Sequence, residues 1–407
     1  MAQQGTPVSG SSNRIGPTGF VLAFGVVSML ADVVYEGARS ITGPFLATLG
    51  ASGALVGFIT GLGEAAALVL RLATGPLADR TRRYWPLTIA GYALTVVAVP
   101  VMSLAASLWQ AAALVVAERF GKAVRTPARD TMLANAGGSI GHGMAFAVHE
   151  ALDQVGAFLG PLLVALMVAV SGYHLGFGVL AIPGALALLA VVLLRRAVPA
   201  PDHYDSPVRA EPGGDGQVTA SRLPRTFWWY SAFTAASMLG FATFAVISYH
   251  LEVRRVLPEP LIPVVYAVAM AAAGLAALGS GALYDRFGLR GLVAALPLTA
   301  AVPFLSFSTE AALVWIGAAV WGASLGMHEA TFRAAVAKLV PRDRRATAYG
   351  VFTAVYGTAW LAGSTAMGAL YEVSIPAVAA FAVGTQLVAL VLFVPLVWGA
   401  GARAIEA

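Results

Sequence analysis

The sequence has no cysteine, which excludes disulfides and thiolate metal sites. Charge is the second scarcity. Only 11% of the 407 residues are Asp, Glu, Lys or Arg, against about 25% in an ordinary soluble chain. A water-solvated globule of this size is a poor match. Neither a nucleotide-binding loop nor a Ser-His-Asp signature is present, and no appended domain is large enough to signal. No catalytic residue and no cofactor is expected, so a membrane enzyme or a transporter-like sensor is a weak reading. There is no His-rich tail and no His-x-x-x-His spacing, so no bound metal is expected either. A cleavable leader is not expected, because residues 1–17 are polar and rich in Ser and Gly.

What the sequence has is hydrophobicity, at 58% of residues. Apolar runs long enough to cross a bilayer as a helix, about 20 residues each, recur along its whole length. Lipid offers the backbone no hydrogen bonds, so only helices or closed barrels span it. The runs are continuous and not alternating, which selects helices. Helices are expected near 18–47, 51–78, 85–106, 109–130, 142–170 and 174–195, and again near 226–253, 259–284, 290–307, 311–337, 345–371 and 375–399. The stretch 196–225, with four Arg and several Pro and Gly, reads as a linker between bundles 18–195 and 226–399, with tails 1–17 and 400–407. The expected fold is all-α integral membrane, with twelve spans in two pseudo-symmetric six-helix bundles.

Net charge is +5, and its placement favours membrane topology over nucleic acid. Arg80, Arg82, Arg83, Arg195, Arg196, Arg286, Arg290, Lys338 and Arg344 all fall on one side if helices alternate, with Arg254 and Arg255 the main exception. By the positive-inside rule, both termini and the linker are cytoplasmic, in a cell inner (plasma) membrane protein.

The halves repeat. Gly75-Pro-Leu-Ala-Asp79-Arg80 matches Gly281-Ala-Leu-Tyr-Asp285-Arg286, and Ser28-Met-Leu matches Ser237-Met-Leu. Gly121 and Thr126 match Gly326 and Thr331, and residues 143–161 lie without gaps on 346–364, pairing Gly160 with Gly363. Such a duplication suggests one half rocking against the other.

The Asp79-Arg80-Thr81-Arg82-Arg83 loop resembles the signature between helices 2 and 3 of the major facilitator superfamily. Thr81 stands where the family usually has glycine; the second copy keeps Gly288. Arg119-Phe-Gly121 is similar to the family's helix-4 arginine motif, and Gly156-Ala-Phe-Leu-Gly160-Pro161 resembles the glycine-proline motif of its antiporters. The resemblance implies the family's fold, alternating access, a monomer, proton coupling at Arg119, and gating by Asp79, Arg80, Arg83, Asp285, Arg286, Gly156, Gly160 and Pro161.

Ionisable groups inside spans mark function or paired networks. Asp32 and Glu36 lie one turn apart on one face, and two such carboxylates do not both ionise easily. His149 and Asp153 share a face beside Glu150. Asp32, Glu36, Arg119, His149, Glu150 and Asp153 are therefore the candidate proton-coupling set. By the repeat, His149, Glu150 and Asp153 fall opposite Phe352, Thr353 and Tyr356, so an acidic N-terminal wall should face an aromatic C-terminal one. Substrate contacts are expected from Arg39, Glu64, Lys122, His328, Glu329, Arg333, Phe352, Tyr356 and Trp360. The function this implies is proton-coupled efflux of a small amphipathic or hydrophobic compound, with protons and the lipid bilayer as the other partners. Export of divalent metal ions and transport of an organic anion are the alternatives.

Overall fold

A computed structural model describes residues 14–204, 223–341 and 344–398. The elements, in chain order, are α1 (Pro17–Thr48), α2 (Gly53–Val69), α3 (Arg71–Thr81), α4 (Tyr84–Val101), α5 (Leu108–Ile140), α6 (His142–Gly178) and α7 (Ala181–Ala197) in the first half. The second half has α8 (Arg225–Leu239), α9 (Phe244–Val253), α10 (Leu261–Phe287), α11 (Ala295–Ser306), α12 (Ala311–Leu339), α13 (Arg345–Val373) and α14 (Ile375–Trp398). Proline at the first position of α1 costs no hydrogen bond there. The hydroxyls of Ser52 and Ser107 cap α2 and α5 by accepting from Leu55 N and Gln110 N.

Among the described residues, nine stretches are long and apolar enough to cross a membrane. One of them, His142–Ala197, is a double passage of 56 residues, broken where Ser171 and Gly172 leave helical geometry. Adding α5 and α13, whose charge and polarity keep them off that tally, makes the count consistent with the twelve expected. Large apolar side chains such as Leu275, Leu278, Val170 and Val391 project outward along the belt, where a lipid surface would meet them.

Two boundaries differ from expectation. The fourth passage runs on to Ile140, where 130 was expected. Met132, Leu133 and Ala136 are buried in a cluster with Phe20, Phe24 and Trp85, so tertiary packing extends the helix past the charges at Arg129 and Asp130. Gly141, at φ +93°, ends it. The seventh passage, expected as one helix, is broken between Leu239 and Phe244. The break frees the Ala242 carbonyl, which accepts from Trp321 Nε1 at 2.7 Å.

Hydrogen bonds between loop ends establish which ends share a face. At one face, Trp85 Nε1 donates to Val198 O, Asn135 to Asp202, Arg14 N to Ala197 O, and Tyr204 to Ile15 O. This face also carries Arg80, Arg82, Arg83, Arg195 and Arg196, and is called the basic face below. Part of the expected linker, Pro201–Tyr204, therefore packs back onto the first half; residues 1–13, 205–222 and 399–407 lie outside the described residues. At the far face, Tyr173 donates to Glu252 at 2.5 Å and Gly53 N to Glu372 at 2.5 Å. Both of these bonds join the two halves.

Candidate functional site

Charged side chains of α1, α2 and α5 form a continuous ladder inside the first half. Arg39 Nη2 lies 3.0 Å and Arg119 Nη2 3.2 Å from the same oxygen of Glu64. Arg39 also reaches Glu36 at 3.6 Å, as its position one turn along α1 suggests. Arg119 Nε approaches Glu118 at 3.2 Å without the alignment of a hydrogen bond. Glu36, Glu64, Glu118 and Arg119 are all buried. Buried charges are tolerable only when paired this closely, because each costs several kcal/mol to desolvate. Tyr35 sits at the centre of the ladder, with the Arg119 guanidinium 4.3 Å and the Lys122 ammonium 3.8 Å from its ring centroid. A small space of about 20 Å³ beside Arg39, Glu64, Glu118 and Arg119 has room for about one water.

Below the ladder, toward the basic face, a cavity of about 220 Å³ opens between the halves. Its first-half wall carries Asp32, Glu36, Arg39, Glu64, Lys122, Glu150 and Asp153, and reaches Arg71, Arg129 and Asp130. Asp153 lies 3.4 Å from His149 Nε2 and 3.9 Å from Arg129. His149 itself is buried and turns toward the Ser28 hydroxyl at 3.4 Å, which meets Tyr92 at 3.0 Å. Among the described residues, Asp153 Oδ1 and His149 Nδ1 are buried without a hydrogen-bond partner. Glu150 is exposed and accepts from Gln154. The expected proton-coupling residues thus fall into two groups, with Glu36 and Arg119 in the ladder and His149, Glu150 and Asp153 nearer the mouth. Asp32 lies on the cavity wall between them.

The opposing wall is aromatic. Phe352, Thr353, Tyr356 and Trp360 of α13 line the cavity, with the Tyr356 and Trp360 rings 5.8 Å apart edge to face. Trp360 also packs over Arg39 at 5.8 Å. Phe241, the repeat partner of Asp32, stacks on Trp321 at 5.5 Å. His328 lies at this wall but is committed to neighbours, with Nε2 3.0 Å from the Ser237 hydroxyl and Nδ1 2.6 Å from the Ser324 carbonyl. Glu329 is exposed and lines the cavity. The side chain of Arg333, also expected at the substrate, lies outside the described ones. So does that of Asp285.

The other expected gating residues divide by place. Asp79, Arg80 and Arg83 are exposed at the basic face, and no ion pair of Asp79 occurs within 4.0 Å among the described residues. Arg286 is exposed at the end of α10, over the ring of Phe287. Gly156 and Gly160 are packing positions, where a Cβ would overlap the carbonyl oxygens of Met29 and Val33 on α1. Pro161 lies inside α6, which bends ten residues later at Ser171 and Gly172.

Three contributors were not expected from sequence. Tyr35 is the surface on which Arg119 and Lys122 rest, and only its position between Asp32 and Glu36 hinted at it. Tyr266, on α10 of the second half, donates to Glu36 at 2.5 Å. Arg125, in the interior of α5, is buried, donates to Thr95 at 2.9 Å and stacks on Tyr92.

This architecture has known counterparts. An uncharacterized protein of Mycobacterium tuberculosis is 52% identical over 379 residues, covering 92% of this chain and 91% of its own. An uncharacterized MFS-type transporter of Methanocaldococcus jannaschii is 24% identical over 367 residues, covering 87% and 89%. Among solved structures, the nucleoside transporter NupG superposes with a TM-score of 0.75 at 14% identity, covering 92% of this chain and all of that one. The peptide transporter POT, in complex with sulfate, superposes with a TM-score of 0.74 at 15% identity and 97% coverage of both. The model of the Major Facilitator Superfamily matches residues 24–364, a span that takes in the charged ladder, the cavity and the aromatic wall, and the chain belongs to that family.

Proposed function

We propose that this multi-pass membrane protein is a proton-coupled antiporter that exports a small amphipathic compound by alternating access. The observation that carries the reading is the cavity between the halves. It is charged on its first-half wall, aromatic on its second-half wall, and directed toward the basic face. The positive-inside rule makes that face cytoplasmic, so the cavity is placed to take substrate from the cell.

The chemistry follows from which groups lie within reach of both substrate and proton. Asp32 and Asp153 line the cavity where the ladder does not neutralise them. A proton on either weakens its hold on a cationic group of the substrate, and arrival of that group displaces the proton. Glu36 links this exchange to movement. Its carboxylate accepts from Tyr266 of the other half, and a hydrogen bond to an ionised acceptor is about twice as strong as one to a neutral acceptor. Protonating Glu36 therefore loosens a bond that the rocking motion must break.

The metal-export alternative loses ground in this geometry. His149 and His328 belong to separate hydrogen-bonded clusters, and no group of three His, Asp or Glu ligands occurs among the described residues. Transport of an organic anion retains one supporting observation, the Lys122 ammonium in the cavity wall.

The test is substrate-driven proton flux in proteoliposomes with a pH-sensitive dye inside, against a panel of amphipathic cations, zwitterions, divalent metals and organic anions. Proton movement driven by an amphipathic compound, lost in Asp153→Asn, is expected. Transport of such compounds with no proton movement would overturn the coupling.

A further inference from the structure

We infer that the substrate is dipolar, with its anionic group held by Lys122, its cationic group by Asp32 and its apolar body against Phe352, Tyr356 and Trp360. This deepens the transport reading above and rests on it. The argument is a charge inventory of one cavity. Arg39 shares Glu36 and Glu64, and Arg129 is held by Asp130 at 2.9 Å and approaches Asp153. Arg125 also borders the cavity, but it is 1% exposed, donates to Thr95 and stacks on Tyr92. Lys122 likewise has no carboxylate within 4.0 Å of its ammonium among the described residues, but it is less deeply buried than Arg125 and rests on the face of Tyr35. A ring face takes up only part of an ammonium's three donors.

Asp32 is the matching acid. It lines the same cavity, and no cation lies within 4.0 Å of it among the described residues. It sits one turn before Tyr35 on α1, so its side chain and the Tyr35 ring share a face, and Lys122 rests on that ring. An acid and a base thus line the same cavity from neighbouring helices, with more than 4.0 Å between their charged atoms. A purely cationic guest would meet Lys122 and a purely anionic guest would meet Asp32, each with a like charge in a poorly solvated wall. A guest bearing both poles satisfies both, and specificity of this kind is set as much by the repulsion as by the attraction. The α13 aromatics opposite give the guest's apolar part a surface to pack against.

Equilibrium binding to the purified full chain in lipid nanodiscs tests this without any proton gradient. The probes share one ring: L-phenylalanine and L-alanyl-L-phenylalanine with both poles, phenethylamine with the cation alone, and phenylpropionate with the anion alone. At least one dipolar probe should bind about tenfold or more tightly than either single-charge probe, the factor a single charge-assisted hydrogen bond supplies. Lys122→Gln should lower its affinity to that of phenethylamine, and Asp32→Asn to that of phenylpropionate. A single-charge probe bound as tightly as the dipolar ones, or no dipolar probe bound at all, would overturn the inference. The wild-type comparison stands even if a variant fails to fold. Dipolar binding without proton-linked flux would sink the coupling while leaving this assignment intact. Proton-linked flux of a lipophilic cation, with no dipolar probe bound, would do the reverse.

Discussion

At the residue scale, Glu64 is the hinge of the charged ladder. One of its oxygens faces two guanidiniums, Arg39 at 3.0 Å and Arg119 at 3.2 Å. Removing its charge leaves two buried cations facing each other with only Glu36 and Glu118 to offset them. Breaking a buried ion pair from one side costs roughly 3–5 kcal/mol, so Glu64→Gln should lower the thermal unfolding midpoint in detergent far more than Glu150→Gln, whose exposed side chain accepts from Gln154. Equal midpoints for the two variants would mean that the ladder is solvated and does not hold the bundle. Tyr266→Phe tests the coupling bond. It removes the donor to Glu36 while keeping the ring, so substrate binding should persist while proton-linked turnover falls. Unchanged turnover would assign the tyrosine to packing. Much of this site was legible in the sequence because lipid makes every ionisable residue conspicuous. What each charge would pair with was not. Glu36, Arg39, Glu64 and Arg119 come from three helices, and no spacing within one helix announces that Glu64 bridges Arg39 and Arg119. Tyr266 was hidden for the same reason, since its partner lies in the other half.

At the element scale, the duplication shows itself as shared packing. Gly160 lets α6 lie against the Val33 carbonyl of α1, and its repeat partner Gly363 lets α13 lie against the Leu239 carbonyl of α8. Close approach of backbones is what small residues permit between helices in lipid. Leucine at either position would force the helices apart, at roughly 1–3 kcal/mol for overpacking. Gly160→Leu and Gly363→Leu should both destabilise, by similar amounts, in chemical unfolding of the purified protein. A tolerated leucine at one of them would show that the two halves do not use the repeat alike. Helix ends were less legible than helix interiors. The break between α8 and α9 is fixed by Trp321 reaching the Ala242 carbonyl, and the extension of α5 to Ile140 is fixed by Met132, Leu133 and Ala136 meeting Phe20 and Trp85. Both causes lie outside the segment they shape, where a hydropathy pattern has no information.

At the scale of the whole molecule, the two halves are joined at the far face, and the cavity lies between them toward the basic face. Backbones of α2 and α13 meet at the far side, where a Cβ on Gly57 would overlap the Ser364 carbonyl. Tyr173 and Glu252, and Gly53 and Glu372, add bonds between the halves there. Alternating access requires this seam to open while the cavity mouth closes. The natural absence of cysteine makes the most direct test clean. Single cysteines would be placed at Thr353, in the cavity wall, and at Ser364, buried in the far-face seam, and labelled with a membrane-impermeant thiol reagent from each side of the membrane. At rest, Thr353→Cys should label from the cytoplasmic side alone and Ser364→Cys from neither. When an outward substrate load and an inward proton gradient drive cycling, Ser364→Cys should become reactive from outside as Thr353→Cys labelling from inside slows. Labelling that stays the same at both positions under load would contradict a transporter that works by moving these halves.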